Sequence, residues 1–176
     1  VRSATSRPCT ATTRSKCQNR HLSHQRVVVI DFGGQYSQLI VRRVREHGIY
    51  STMVPWTHAP QELRENRPDA VILSGGPASV VAPGAPDLDF SLLEGLPVLG
   101  ICYGHQLMAA RMGGTIHRAE TREYGRTDLA LANGFVAGMG GSQVWMSHGD
   151  EVTVPPPGFE TIGSTAACPV AAMANP

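Results

Sequence analysis

At 176 residues, 41% of them hydrophobic, the chain can bury a single core without the help of disulfides or metal. Its four cysteines, Cys9, Cys17, Cys102 and Cys168, show no Cys-x-x-Cys spacing, which argues against a zinc site or a disulfide framework and for a reducing, cytoplasmic setting. Membrane and nucleic-acid partners are excluded as well: no apolar run approaches the roughly 18 residues of a span, and outside a basic leader the chain carries nine basic against fourteen acidic groups, the wrong sign for binding phosphate.

The leader is residues 1–26, where Arg2, Arg7, Arg14, Lys16, Arg20 and Arg26 stand among serines and threonines with no acid. Lacking apolar periodicity, it is expected to be disordered. Its composition is that of an organellar transit peptide, yet the chain begins at Val1, and the leader is set outside the fold. At Val27 the text changes to Val27-Val28-Val29-Ile30-Asp31, a β-branched run of the kind buried on both faces of a sheet. Phe32-Gly33-Gly34 turns the chain, with Gln35 as a cap, and the spacing of Tyr36, Leu39, Ile40 and Val44 predicts a helix over 35–47 that ends at Gly48. A second strand is expected over 49–54, a proline-initiated helix over 60–66 and a third strand over 70–73. This β-α-β-α-β order implies an α/β fold, a mostly parallel open sheet with helices on both faces, whose ligands gather beyond the C-terminal ends of its strands.

The next strand, from Val98, ends in Gly100-Ile101-Cys102-Tyr103-Gly104 and runs into a helix over 104–112. Such a strand-turn-helix elbow holds a nucleophile at the strand's C-terminal edge, with glycines on either side letting strand and helix approach. Cys102 occupies that place. The helix would aim its N–H groups and positive end at the sulfur, favouring thiolate over thiol and helping to hold an oxyanion. An inert buried cysteine is the competing reading. Ser74-Gly75-Gly76-Pro77 ends the third strand at the same edge. Its glycines expose backbone N–H groups, as an oxyanion hole requires, and the N–H of Tyr103 supplies a second donor.

Beyond Gly113-Gly114, short strands expected near 115–118, 124–131, 143–146 and 160–164 make the second half β-rich, with antiparallel pairing. Met146-Ser147-His148-Gly149-Asp150 follows one of them as a polar cluster. His148 and Asp150 are too close in sequence to face each other as base and orienter, and His105 should point away from the thiol along its helix. Asp31-Phe32-Gly33 matches a kinase metal-binding triplet without that site's partners. Without Gly-x-Gly-x-x-Gly, a dinucleotide site is not expected either.

Leu99-Gly100-Ile101-Cys102-Tyr103-Gly104-His105-Gln106-Leu107-Met108-Ala109, the Ser74-Gly75-Gly76-Pro77 loop and Trp145-Met146-Ser147-His148-Gly149-Asp150-Glu151-Val152 stand in the order seen in class I glutamine amidotransferases. Residues 27–176 resemble that family's domain. Asp31 to Ile40 followed by Arg42-Arg43-Val44-Arg45, together with the Met-Ser-His-Gly-Asp cluster, is similar to its GMP synthetase branch in particular. The resemblance implies a flavodoxin-like sheet and a Cys102 that attacks the side-chain amide of glutamine, releasing ammonia and leaving a glutamyl thioester for water to hydrolyse. It makes the Gly76 and Tyr103 N–H groups the oxyanion hole, and gives Gly75, Gln106, Ser147 and His148 to the glutamine pocket.

No metal or cofactor is implied for this domain. ATP and Mg would belong to a synthetase domain of the ATP-pyrophosphatase type, normally on the same chain, which takes the ammonia and converts XMP to GMP. The family activates its thiol with the histidine of a His-Pro-Glu sequence. Here Cys168-Pro169-Val170-Ala171-Ala172 matches the lead-in, and none of the seven histidines precedes Pro-Glu. The expectation is a truncated glutaminase half, weakly active or inactive by itself, with apolar surface exposed where a strand is missing. Two alternatives stand beside it: the amidotransferase subunit of anthranilate or aminodeoxychorismate synthesis, and a non-catalytic regulatory module built on the same shell.

Overall fold

The computed structural model describes residues 25–131 and 142–175 and, within them, all side chains but those of 119–124, 142, 147 and 148. The expected leader, apart from Gln25 and Arg26, lies outside the described residues.

The β-branched run forms the first strand, β1 (Arg26–Asp31), in which Val28, Val29 and Ile30 are fully buried. Successive side chains leave a strand on opposite sides, so three buried neighbours mean that both faces of the sheet are covered. β1 pairs in parallel with β2 (Tyr50–Pro55) on one side and β3 (Ala70–Leu73) on the other. β3 pairs with β4 (Val98–Gly100), giving the order β2-β1-β3-β4. α1 (Ser37–Glu46) and α2 (Ala59–Glu65) join β1 to β2 and β2 to β3, a 3-10 turn (Phe90–Leu93) stands between β3 and β4, and α3 (Tyr103–Arg111) follows β4. The strand reaches back to Arg26, one residue into the expected leader, because Arg26 is anchored there. Its backbone N–H donates to the Asp69 carboxylate at 2.7 Å, and its guanidinium reaches Glu62 and the Asn66 carbonyl.

The stripe expected on α1 is rotated in the structure. Tyr36 and Leu39 are 66% and 45% exposed, and the buried residues are Ser37 and Val41. The helix starts at Ser37 rather than Gln35, and its N-cap position, Tyr36, has no capping side chain. Instead the Ser37 hydroxyl donates to the Asp31 carboxylate at 2.6 Å, which ties the first residue of the helix to the end of β1 and turns the Ser37–Val41 line inward. The main core gathers Val28, Ile30, Phe32, Ala59, Leu63, Val71, Leu73, Tyr103 and Leu107 from strands and helices alike.

The second half is antiparallel, as expected, but its strands are longer. The two pieces predicted over 115–118 and 124–131 are one strand, β5 (Thr115–Leu131), with a break in register between Arg118 and Glu123. β6 (Ser142–Val154) contains the Met146–Asp150 cluster, which therefore lies within a strand and not after one. Pairing with β5 imposes extended backbone on a segment whose glycine and charges read locally as a turn. β7 (Glu160–Ser164) has its predicted bounds, and the short β8 (Ala172–Ala174) completes the order β6-β5-β7-β8.

Candidate active site

Cys102 is the N-cap residue of α3, two residues beyond the end of β4, and the only non-glycine with positive φ (51°) among the described residues. A side chain in this region costs roughly 1–3 kcal/mol, and it persists where the surroundings over-determine it. Here they do. The Ile101 N–H donates to the Leu73 carbonyl at 2.9 Å, the Gly104 N–H to the Ser74 carbonyl at 3.0 Å, and the Gln106 N–H to the Cys102 carbonyl at 3.0 Å. Glycine is required at two neighbours for lack of space. A Cβ on Gly104 would stand 2.3 Å from the Leu73 carbonyl oxygen, and one on Gly76 would stand 2.6 Å from that of Phe32.

The loop after β3 comes against the elbow: a Cβ on Gly75 would lie 3.5 Å from the Cβ of Cys102. The backbone N–H groups of Tyr103 and Gly76 both donate to the Cys102 sulfur. These are the two donors that the sequence assigns to an oxyanion hole, one from each loop. The expectation that the elbow by itself favours thiolate is not met. Although the residue as a whole is exposed, the protein packed around its sulfur pushes the thiol pKa up, and this desolvation outweighs the two N–H bonds that pull it down.

The other candidates divide by what their side chains do. Tyr103 gives the site its N–H, while its buried ring packs 5.2 Å from that of Phe32 and its hydroxyl donates to the Pro86 carbonyl. Gln106 is buried on α3, and its side-chain amide donates to the Asp150 carbonyl at 2.7 Å. The backbones of Ser147 and His148 lie in β6 opposite Tyr124 and Glu123; their side chains lie outside the described residues. Sequence reasoning weighed Asp150 only as an orienter for His148 and set it aside; the residue is 4% exposed and its carboxylate accepts from the Val80 N–H at 3.0 Å. The available signal was period two: Asp150 and Val152 alternate inward along one strand.

A cavity of about 1110 Å³ borders Cys102, His105, Gln106, Met146 and Asp150 and continues along β4. That exceeds the range of about 300–1,000 Å³ usual for small-molecule sites. Part of its wall is apolar and exposed: Leu99 and Ile101, beside the edge of the sheet, are 56% and 37% accessible.

A doubly covered parallel sheet ending in a cysteine elbow, with two backbone donors aimed at the sulfur, defines a class of acyl-transfer domains. The chain matches the glutamine amidotransferase class-I family over residues 28–176 and belongs to that family. The GMP synthase (glutamine-hydrolysing) of Parafrankia sp. strain EAN1pec is 53% identical over 160 residues, which is 89% of this chain and 30% of that protein. That of Nocardia farcinica is 57% identical over 150 residues, 84% of this chain and 29% of its own. The chain thus spans under a third of the length of these relatives. Among solved structures, a candidate GMP synthase subunit from Thermoplasma acidophilum is 28% identical and superposes with a TM-score of 0.72, covering 88% of this chain and 80% of its own. A glutamine amidotransferase from Thermotoga maritima, 20% identical, shares the fold with a TM-score of 0.64 over 86% of this chain and 71% of its own.

Proposed function

We propose that residues 27–176 form the glutamine-hydrolysing part of a GMP synthase, with Cys102 as its nucleophile and the cytoplasm as its setting. The observation that carries this reading is the convergence of the Gly76 and Tyr103 N–H groups on the sulfur of a strained elbow cysteine. The sulfur adds to the side-chain amide carbon of glutamine, and the two N–H groups hold the oxyanion that forms. The C–N bond then breaks, and ammonia leaves with the proton of the thiol. Water cleaves the glutamyl thioester, yielding glutamate and the thiol again. Gly75 and Gln106, with the Ser147–His148 segment, shape the glutamine pocket.

The thiol's raised pKa means that it starts protonated at neutral pH, so the step needs a proton carrier. The resemblance gives that role to the histidine of a His-Pro-Glu sequence, and no histidine of the 176 residues precedes Pro-Glu. ATP, Mg and XMP belong in this reading to a synthetase domain of the ATP-pyrophosphatase type, which receives the ammonia. The likeness to two glutamine-hydrolysing GMP synthases, each more than half identical over the matched residues, supports this choice over the amidotransferases of other pathways.

The raised thiol pKa also favours a second reading, a non-catalytic shell. A diazoketone analogue of glutamine separates the two. Labelling of Cys102 well ahead of Cys168, slowed by free glutamine and absent in Cys102→Ala, is the expected result. Equal, slow labelling that glutamine does not slow would overturn the proposal.

A further inference from the structure

Asp150 joins three parts of the site, yet no step of glutamine hydrolysis uses it. It lies on the inward side of β6 with Val152, which packs beside Ala109 of α3 and Val170 in a small second core. Its main-chain carbonyl receives the side-chain amide of Gln106, one helical turn after Cys102. Its carboxylate receives the N–H of Val80, four residues after Gly76 and seventy away from Asp150 in sequence. A carboxylate that is 4% exposed is expensive to hold unless it is hydrogen-bonded. An apolar side chain would fill the same space at less cost, so the carboxylate is explained by what it fixes.

What it fixes is the far end of the oxyanion loop. The near end is already tied: the buried Ser74 hydroxyl oxygen accepts from the Phe32 N–H at 3.1 Å and donates to the Gly75 carbonyl at 2.9 Å. Between the ties stand Gly75 and Gly76, whose backbone is soft, and Pro77, which is stiff and lies against Gly33. The Phe32 carbonyl packs against Gly76 on one side, but held only there and at Ser74 its N–H could still turn off the sulfur. Anchored also at Val80, it is held. We infer that Asp150 is a positioning residue that fixes the oxyanion-hole loop of Cys102 from the antiparallel half of the molecule, acting through Val80 and not on the reacting atoms.

The inference rests on the glutaminase reading, and two probes applied to the whole 176-residue chain keep the two apart. γ-Glutamyl 4-nitrophenyl ester acylates a thiol through a tetrahedral oxyanion: the sulfur adds to the ester carbon, 4-nitrophenolate leaves, and a glutamyl thioester remains. Iodoacetamide alkylates the same thiol by displacing iodide, with no oxyanion. In Asp150→Ala, release of 4-nitrophenolate should fall by about tenfold or more, a fraction of the roughly 10²–10³ lost when an oxyanion donor is deleted outright. Alkylation of Cys102 should change less than twofold. Asp150→Asn keeps an oxygen that can accept from Val80 and should retain most of the acylation rate, including if the alanine variant fails to fold. Equal losses with both probes, no loss with either, or an asparagine variant as slow as the alanine one would overturn the inference. If the unaltered chain releases 4-nitrophenolate no faster than Cys102→Ala does, this inference falls, while the glutaminase reading stands or falls separately on glutamine-sensitive labelling of Cys102 by the diazoketone.

Discussion

In the parallel half, backbone meets backbone. A methyl group on Gly104 would sit 2.3 Å from the Leu73 carbonyl oxygen, and one on Gly76 would sit 2.6 Å from that of Phe32. In the antiparallel half, Gly125 and Gly149 have nothing within 4 Å of where a Cβ would stand, and the nearest atoms to Gly163 belong to the side chains of Leu131, Ala172 and Leu129. The elbow is thus fixed by main-chain contacts that cannot yield, whereas in the antiparallel half Gly114, just before β5, is the position where a Cβ would meet main chain, 2.8 Å from the Val154 carbonyl oxygen. Cys102 needs the unyielding kind, because its positive φ survives only under constraint from several sides. The antiparallel half needs to reach the site at only a few points, and Asp150 is one.

Core truncation tests this contrast most strongly. Leu73 and Val152 are both fully buried, but Leu73 belongs to the main core and Val152 to a cluster whose other buried members are Ala109 and Val170. Leu73→Ala should cost about 2–5 kcal/mol and Val152→Ala about 1.5–3 kcal/mol in urea unfolding, since the smaller cluster is freer to collapse around the cavity. Equal losses per deleted carbon would mean that the two halves are packed alike. Paired glycine substitutions come next, and here the sign should differ. Gly104→Ala should destabilise by about 1–3 kcal/mol or more as overpacking against backbone, whereas Gly149→Ala, with open space and no positive φ, should be neutral or stabilise by about 0.4–1 kcal/mol.

The smallest effect expected is a displacement of a titration. Burial raises the Cys102 pKa in the folded chain. Its alkylation rate should therefore rise with pH to a midpoint above the ordinary thiol value of about 8.5. By linkage, the folded state holds this proton more tightly than the unfolded one. The group's contribution to stability is accordingly full below the unfolded pKa and is lost as pH rises through the folded pKa. A midpoint below the ordinary value would show instead that the two N–H donors outweigh desolvation.

What the sequence determined by itself about this protein is what local sterics and periodicity dictate. Val27 to Asp31 could only be a buried strand, because four consecutive β-branched residues project to both faces. Gly100 and Gly104 around Cys102, and Gly75-Gly76 after Leu73, declared an elbow and a donor loop, because only glycine fits where backbones touch. The tertiary structure decided the rest. The buried face of α1 depends on a hydrogen bond from Ser37 to Asp31 in the preceding strand, which no helical wheel contains. The Met146–Asp150 cluster became strand because β5 pairs with it, and pairing is a property of two segments. The direction of the Cys102 pKa required the mass of protein around the sulfur, since the helix end that the sequence displays acts in the opposite sense. The grip of Asp150 on Val80 spans seventy residues of chain and was therefore invisible until the two halves were folded together.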